Sequence, residues 1–315
     1  MLSTLKSNIL LIGFLFILMI TLVVYSNHFY NPFFFDDSHT IVNNSAITSL
    51  ENWTDFFSNP ETFSSLPANR AYRPMVTFLN AVDYSLSGEL NSTTFHTHIF
   101  FWYVVTVLLF LILMVHLSKK ANLLFDFKAK VFIVLTSLFF ATHTINAETI
   151  NYICARSDSF STLFVLISLL LFINQKTRKY HLYLLSLLIG IWTKQTAVMF
   201  IPILFFYIIL FEPKTHYKLV RSSISNWIIS VIKIMWIPTI FGVALFLINQ
   251  LYLTPSSTVS SNLTVTKFEY ISTQLYVILH YLGNFILPTS LSADPDIEII
   301  TPWYDKRILL GLLLI

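Results

Sequence analysis

Long apolar segments are the feature that most limits what this 315-residue chain can fold into. A helix needs roughly 20 apolar residues to cross a hydrocarbon core of about 30 Å. The first segment runs from about Ile9 to Tyr25, and no small-residue cleavage site follows it, which predicts an uncleaved anchor rather than a signal peptide. Further spans are predicted at about 98–117, 131–142, 158–173, 180–193, 196–211, 228–253 and 271–287. A last apolar run, Ile308–Ile315, ends the chain.

The composition agrees with a membrane protein. Hydrophobic residues make up 55% of the chain and charged residues only 11%, against about 25% charged residues in a soluble domain. Lipid can cover this apolar excess, whereas a soluble core of this size cannot. The net charge of +3 comes without a basic run interleaved with aromatic residues, so nucleic-acid binding is not predicted. Cys154 is the only cysteine, which rules out an internal disulfide.

The distribution of cations in the loops predicts the orientation. The loops after the second, fourth and sixth predicted spans are basic, with the cations Lys119, Lys120, Lys128, Lys130, Lys176, Arg178, Lys179, Lys214, Lys218 and Arg221. Because cytoplasmic loops carry the excess of Lys and Arg, the N-terminus and these loops are placed in the cytoplasm. The long loop 26–97 then lies on the non-cytoplasmic side, where one or two short amphipathic helices are expected on the membrane surface. We therefore predict an all-α polytopic integral membrane protein whose residues 1–315 form a single membrane domain.

Two adjacent carboxylates, Asp36 and Asp37, are the most suggestive chemical feature. They follow the first span closely and come directly after three phenylalanines. Two carboxylates at a membrane interface are costly to desolvate, and their proximity raises one pKa, which suits a general base. The alternative is a hydrated turn or a helix N-cap formed by Asp37 or Ser38.

The segment 142–158 contains a second group of candidates. If it is helical, Glu148, Tyr152 and Arg156 recur at intervals of four and share a face that lines a groove. The alternative is an interfacial turn with a solvated Glu148 and an Arg156 whose side chain extends to the interface.

Two further cations are predicted on the outer side. Arg73 suits bidentate binding of a phosphate, or it anchors the chain at the membrane surface, and Asp83 lies one or two helical turns later. Lys194 is at the outer end of a span, where a phosphate partner or simple extension of its side chain to the interface explains it. The histidines have no zinc-site spacing. With only six glycines the chain has no phosphate-binding loop, so a sugar donor has to be carried by a lipid.

Several motifs occur in a fixed order along the chain. They are Phe35-Asp-Asp-Ser-His-Thr-Ile-Val-Asn-Asn, Tyr72-Arg-Pro-Met-Val-Thr, Asp83-Tyr84, Phe95-His96, the segment 142–158, Trp192-Thr-Lys-Gln-Thr-Ala and Leu287-Pro-Thr-Ser-Leu-Ser-Ala-Asp. In this order they resemble the membrane domain of the tetratricopeptide-repeat-containing protein O-mannosyltransferases, a branch of the GT-C type membrane glycosyltransferases. The chain departs from that pattern at Thr144, where the family has proline, and at Gln195, where it has glutamate. No repeat domain is present, and the chain is expected to be a fragment or a short relative.

The resemblance implies a GT-C-like bundle of about eight to nine transmembrane helices with a long first non-cytoplasmic loop. It also implies transfer of a sugar, typically mannose, from a polyprenyl-phosphate carrier to a hydroxyl of a polypeptide or glycan, with inversion at the anomeric carbon. Asp36 or Asp37 is then the catalytic base. The cations among the substrate-binding candidates are expected to bind the departing phosphate, and the acids to position the acceptor or the sugar. These candidates are Arg73, Asp83, Glu148, Arg156 and Lys194.

The partners implied are the lipid-borne donor, the acceptor and the bilayer, and no nucleic acid. A divalent cation, Mg²⁺ or Mn²⁺, on the two aspartates is left open, and no metal ligand is assigned. The membrane is the bacterial inner membrane or that of the endoplasmic reticulum, with the active site on the periplasmic or lumenal side. The alternatives are a transferase acting on a lipid or surface glycan and a non-catalytic scaffold or transporter. A transporter predicts ionisable residues within the spans, where Lys233 is nearly the only one.

Overall fold

The protein is helical throughout the part that the structure describes. This computed structural model describes residues 8–121, 126–212, 224–254, 266–289, 291–292, 297–301 and 305–314, and no β-strand occurs in these ranges. The helices of nine or more residues are α1 (Ile9–Val24), α2 (Pro74–Ser87), α3 (Ser92–Lys120), α4 (Phe127–Thr142), α5 (Arg156–Ile173), α6 (Leu182–Thr193), α7 (Phe200–Phe211), α8 (Ile224–Ile248), α9 (Lys267–Ile286) and α10 (Lys306–Leu314). Three cations of the basic loops, Lys214, Lys218 and Arg221, lie outside the described residues.

Several helices are apolar and long enough to cross a membrane. Three qualify by length and composition among the described residues, namely Ser92–Lys120, Arg156–Ile173 and Asn226–Leu253. A fourth is obtained if Phe127–Thr142 and Thr144–Asn151, which are bent by 41°, form one span. Shorter apolar helices cover Ile9–Val24, Leu182–Thr193 and Gln195–Phe211. Large apolar side chains on these helices are exposed, as a surface covered by lipid requires. The prediction of a multi-pass helical membrane protein is confirmed.

The predicted number of eight to nine spans is not confirmed. The helices α6 and α7 have 12 residues each, and a helix of that length covers about 18 Å, which is less than a hydrocarbon core of about 30 Å. The predicted span 271–287 falls on α9, whose polar residues Gln274, His280 and Asn284 lower its hydropathy. It is not among the helices that qualify as spans.

The chain divides into two compact units, residues 1–142 with 149–258 and residues 143–148 with 259–315. In the first unit, α5, α6, α7 and α8 share a core that includes Leu187 and Phe200. The helices α1, α3 and α4 share a second core around Ile17. The predicted single domain 1–315 stays a prediction.

The segment between α1 and α3 packs with the start of α3 in a further core within the first unit. Its fully or almost fully buried members include Ile41, Ile47, Phe56 and Phe95. This segment is therefore a packed layer of short helices rather than helices that only rest on a surface. Its assignment to the non-cytoplasmic side stays a prediction.

Local sequence signals set the bounds of α2 and α3. Pro74 stands at the first position of α2, where its missing N–H costs nothing. Gly88 ends that helix with a φ of 71°, a left-handed conformation that glycine adopts without strain. Asn91 caps α3, because its side chain accepts the Thr93 N–H at 3.0 Å. These bounds fix where Asp83 and the start of α3 lie.

The second unit is built on α9 and α10. The helix α9 begins with a capping box, in which the Thr266 N–H donates to Glu269 at 2.8 Å and the Glu269 N–H donates to the Thr266 hydroxyl at 3.3 Å. Gly311 of α10 lies so close to α9 that a Cβ atom there would meet the Leu275 carbonyl oxygen at 2.6 Å. Glu148 belongs to this unit and is exposed in it. Its role in substrate binding stays a prediction.

Candidate functional site

The loop after α1 makes a tight turn at Phe34–Asp37. The Asp37 N–H donates to the Phe34 carbonyl at 3.1 Å, and the Phe34 N–H donates back to Asp37 Oδ2 at 3.2 Å. Phe35, inside this turn, has a φ of 49° and is 73% exposed. A residue with a Cβ atom in that left-handed region costs about 1–2 kcal/mol. The turn therefore holds a strained, exposed phenylalanine directly before the two aspartates.

Asp37 is fully buried and serves as a clamp. Its Oδ1 accepts the backbone N–H of Cys154 at 2.8 Å, which joins two segments 117 residues apart. Burial raises the pKa of this carboxyl to about 6, while the hydrogen bonds from Phe34 and Cys154 and the charge of Arg156 oppose the rise. Both oxygens of Asp37 are thus occupied by backbone donors.

Asp36 has the opposite environment. Its side chain is 54% exposed, and its carboxylate contacts His39 Nε2 at 3.2 Å. The Asp36 N–H donates to the Tyr152 hydroxyl at 2.9 Å, and the Asp36 carbonyl accepts the Thr40 hydroxyl at 2.8 Å. Of the two adjacent acids, Asp36 is therefore the one that another molecule can reach.

His39 is a site residue that the sequence did not reveal, and Tyr152, expected on a groove-lining helix, instead lies in the break before α5. His39 Nδ1 lies 2.9 Å from the Ser64 hydroxyl, so the imidazole is held on both sides. The spacing of three residues between Asp36 and His39 is a signal that one helical turn brings them together. Tyr152 stacks on Phe34 with ring centroids 5.2 Å apart. Burial raises the pKa of Tyr152 above its ordinary value, so the phenol stays protonated at neutral pH.

The expectation that Glu148, Tyr152 and Arg156 share one helical face is wrong. The helix Ala147–Asn151 ends before Tyr152, and α5 starts only at Arg156. The break between them presents the Cys154 N–H to Asp37. A continuous helix would use that N–H internally, so the clamp on Asp37 depends on the break.

Arg156 and Asp83 form a fully buried ion pair behind the turn. The Arg156 guanidinium donates to Asp83 Oδ2, and His98 Nδ1 contacts the other carboxylate oxygen. The Trp102 indole N–H donates to His98 Nε2 at 2.7 Å. Because an indole only donates, Nε2 is the acceptor and Nδ1 carries the proton that reaches Asp83. The Arg156 guanidinium also lies over the Phe95 ring, 5.5 Å from its centroid.

A cationic cleft of about 220 Å³ lies in the same unit. Burial raises the pKa of Cys154, whose N–H Asp37 accepts, while the charge of Arg73 in the cleft wall lowers it. The lining residues of the cleft are Arg70, Ala71, Tyr72, Arg73, Lys194, Gln195, Thr196, Gln250 and Thr254. Lys194 donates to both oxygens of Asp158 at 2.6 and 2.7 Å, and Arg70 pairs with Glu61 at 2.5 Å. Arg73 lies over the Phe63 ring at 5.2 Å, and no ion pair joins it to a carboxylate of the described ranges. The cleft therefore retains one net positive charge.

Lys194 does not stand alone, because Asp158 accounts for its charge. Gln195, which replaces the glutamate expected from the resemblance, donates its amide to Asn249 Oδ1 at 2.7 Å. Asn249 is buried and in turn reaches the Tyr72 carbonyl at 3.4 Å. The neutral Gln195 thus anchors the cleft wall and leaves its charge unchanged.

Asp36 and Asp37 do not form a shared cation site. The carboxylate of Asp37 is buried and both of its oxygens accept backbone N–H groups, so only Asp36 has an exposed carboxylate. Among the described residues no group of three or more His, Cys, Asp or Glu side chains is placed to hold a metal ion. We therefore assign no step of the chemistry to a divalent cation.

Comparison with known proteins identifies relatives that are similar to about half of this chain. The mouse protein named Protein O-mannosyl-transferase TMTC4 is 27% identical over 179 residues, which cover 51% of this chain and 22% of that protein. The human Protein O-mannosyl-transferase TMTC2 is 29% identical over 163 residues, which cover 50% of this chain and 18% of that protein. The chain resembles these O-mannosyltransferases. The predicted resemblance is therefore confirmed.

The similarity has a defined extent. The alignments cover about a fifth of the length of these curated relatives, as they do for the TMTC2 protein of Xenopus laevis at 29% identity and 18% coverage. No protein-family model and no solved structure matches the chain. What the whole relatives do is therefore carried to this chain only as a proposal.

Asp37 makes the stability of the protein depend on pH. The pKa of its carboxyl is about 6 in the folded protein against an ordinary 3.8, so the folded state binds the proton more tightly than the unfolded chain. The stabilisation of the folded protein by the protonated Asp37 carboxyl is fully present below about pH 4. It is lost as the pH rises from about 4 to 6 and stays absent above that. At 1.36 kcal/mol per pKa unit the change is about 3 kcal/mol.

Thermal denaturation of the detergent-solubilised protein between pH 4 and 7 measures this effect. We expect Asp37→Asn to flatten the profile relative to the unaltered protein, although it lowers stability overall by weakening the clamp. The exposed Asp55 offers a control, because Asp55→Asn should keep the original profile. An undiminished fall of stability in Asp37→Asn would contradict the assignment.

The buried pair of Asp83 and Arg156 should reveal itself in a double-mutant cycle. Either single change, Asp83→Leu or Arg156→Met, leaves an uncompensated buried charge and should cost about 3–5 kcal/mol. The double variant removes both charges, so its melting temperature should lie well above the value expected from adding the two single effects. Strict additivity in thermal denaturation would argue against a direct pair.

Proposed function

We propose that the chain is a membrane glycosyltransferase that moves mannose from a polyprenyl-phosphate carrier to the hydroxyl of a protein Ser or Thr. The observation that carries the proposal is the accessible Asp36 carboxylate, which contacts His39 and stands next to its buried neighbour Asp37, while Tyr152 accepts the Asp36 backbone N–H. The similarity to proteins named O-mannosyltransferases supports the reaction class. The site faces the non-cytoplasmic side, in the inner membrane of a bacterium or the membrane of the endoplasmic reticulum.

Asp36 acts as the general base in this proposal. As the acceptor hydroxyl oxygen attacks the anomeric carbon of the sugar, its proton passes to the Asp36 carboxylate. The bond between that carbon and the phosphate oxygen breaks on the opposite face, so the anomeric centre is inverted. The electron pair of that bond leaves with the lipid phosphate. His39 lies against the carboxylate, and the hydrogen bond from the Asp36 N–H to the Tyr152 hydroxyl keeps the residue in place while the proton is transferred.

The cationic cleft is the proposed site of the donor phosphate. Its one net positive charge matches the single negative charge of a sugar phosphodiester. After transfer the released lipid phosphate carries a further partial charge, which Arg73 and Lys194 are placed to stabilise. Arg73 supplies the fork of donors that fits a phosphate. The lipid tail lies between the membrane helices.

Arg156 and Asp83 act behind the site in this proposal rather than on substrate. Both side chains are fully buried and pair through Arg156 Nη2, while Nε and Nη1 of Arg156 have no hydrogen-bond partner among the described residues. Arg156 also acts on Asp37, whose pKa its charge lowers. We therefore propose that the pair positions the turn that carries Asp36.

Replacing the base tests the proposal directly. The 315-residue chain in lipid nanodiscs is incubated with radiolabelled polyprenyl-phosphate mannose and a Ser/Thr-rich peptide. Asp36→Asn should lower kcat about 10²- to 10⁴-fold, because a positioned base contributes that much, with a small change in either KM. The variant Glu51→Gln, an exposed carboxylate in the same layer, should keep full activity. No transfer by the unaltered protein would reject the proposed reaction, and equal transfer by Asp36→Asn would reject Asp36 as the base. Transfer only to glycan acceptors would replace the protein acceptor by a glycan.

Arg73→Gln tests the phosphate site in the same assay. A hydrogen bond to a charged group is worth about 1.5–3 kcal/mol, so the KM of the donor should rise roughly 10- to 100-fold while the KM of the peptide stays constant. The exposed Lys128 lies at the start of α4 and does not line the cleft, so Lys128→Gln should leave both KM values unchanged. An unaltered donor KM in Arg73→Gln would remove the cleft from the proposal.

A further inference from the structure

Phe35 combines two properties that a purely structural residue rarely has. Its φ of 49° lies in the left-handed region, which a bulky side chain avoids. Its side chain is 73% exposed, so burial of the ring does not offset the strain. Strained backbone of this kind concentrates at functional sites, where the surrounding structure enforces it.

The surroundings of Phe35 fix its ring beside the accessible carboxylate. The ring packs edge to face on Tyr152 at 6.1 Å and on Phe34 at 5.6 Å. The same Tyr152 accepts the backbone N–H of Asp36. One aromatic support therefore holds both the Phe35 ring and the next residue in the chain, Asp36.

We propose that Phe35 is a specificity-determining residue, on which an apolar side chain adjacent to the acceptor Ser or Thr packs. The inference rests on the proposed function, in which Asp36 reaches the acceptor hydroxyl. Successive residues of an extended peptide are about 3.3 Å apart, so a peptide whose hydroxyl contacts Asp36 brings its neighbouring side chains to the Phe35 ring. The acceptor class is a polypeptide with an apolar residue beside its Ser or Thr.

The donor side of the site does not account for the exposed ring. The cationic cleft proposed for the phosphate is lined by Arg73 and Lys194 and does not include Phe35. A role as a simple membrane anchor does not account for the exposed Phe35 ring either. The Asp36 carboxylate beside the ring is 54% exposed, and carrying it into hydrocarbon is costly. An anchoring ring also needs no left-handed backbone.

Two variants separate the ring from the strain. Phe35→Gly removes the ring and relieves the left-handed conformation, whereas Phe35→Ala removes the ring and keeps the strain. Phe35→Tyr keeps the ring and serves as the conservative control. The acceptors are two Thr peptides that differ only in the residues next to Thr, which are Leu in one and Gly in the other.

Peptide binding is measured first, by fluorescence anisotropy with the 315-residue chain in nanodiscs and no donor, and transfer kinetics second. The unaltered protein and Phe35→Tyr should prefer the Leu peptide. Phe35→Gly and Phe35→Ala should both lose this preference, with the Kd and KM of the Leu peptide rising roughly three- to tenfold and the donor KM unchanged. Phe35→Gly should melt at a higher temperature than Phe35→Ala.

The outcomes distinguish this inference from the proposed function. An unchanged preference for the Leu peptide in both ring-less variants would overturn it. A loss of melting temperature in nanodiscs but not in detergent, with peptide binding intact, would instead make Phe35 a membrane anchor and also overturn it. Ring-dependent peptide binding by a protein that transfers no mannose would support the peptide site and reject the enzymatic proposal.

Discussion

The rest of the candidate site depends on the buried carboxylate of Asp37. An ionised carboxylate without partners in a protein interior is strongly unfavourable. Here the backbone N–H groups of Phe34 and Cys154 satisfy it. The same two bonds fix the turn that carries Phe35 and Asp36 against the start of α5. A single buried acid thus determines where its exposed neighbour points.

Two adjacent aspartates therefore have unlike chemistry because their surroundings differ. Asp37 is dry and its pKa is raised to about 6, while Asp36 is exposed to water and contacts His39. Arg156 links this turn to the interior, since it pairs with Asp83 and its charge lowers the pKa of Asp37. Environments that push two titratable groups apart are a general way of giving each a separate role.

The sequence predicts the membrane class and the importance of Asp36 and Asp37, because hydropathy and adjacent charges are local properties. It does not distinguish the two acids, since the residue whose N–H holds the Asp37 carboxylate is 117 positions away. The helical face through Glu148 and Arg156 fails for a related reason. Periodicity within the segment cannot reveal the break before α5, because the carboxylate that binds the Cys154 N–H there, Asp37, is distant in sequence.

The partner of Lys194 could not be predicted from the sequence either. Lys194 departs from the predicted distribution of loop cations. Its partner Asp158 lies on α5, and the two side chains come within 2.6 Å only because α5 and α6 pack together. The number of spans shows the limit of length as a criterion, because the 12-residue helices α6 and α7 are apolar but short. What holds them is their packing within one core, which a hydropathy profile does not record.

The clamp between Asp37 and Cys154 also orders events during biosynthesis. The turn with Asp36 leaves the ribosome early, yet its anchoring N–H belongs to a segment made 117 residues later. Until residue 154 has been made, the Cys154 N–H cannot hold the turn that carries Asp36. The turn can therefore reach its final position only after α1 to α4 have been synthesised.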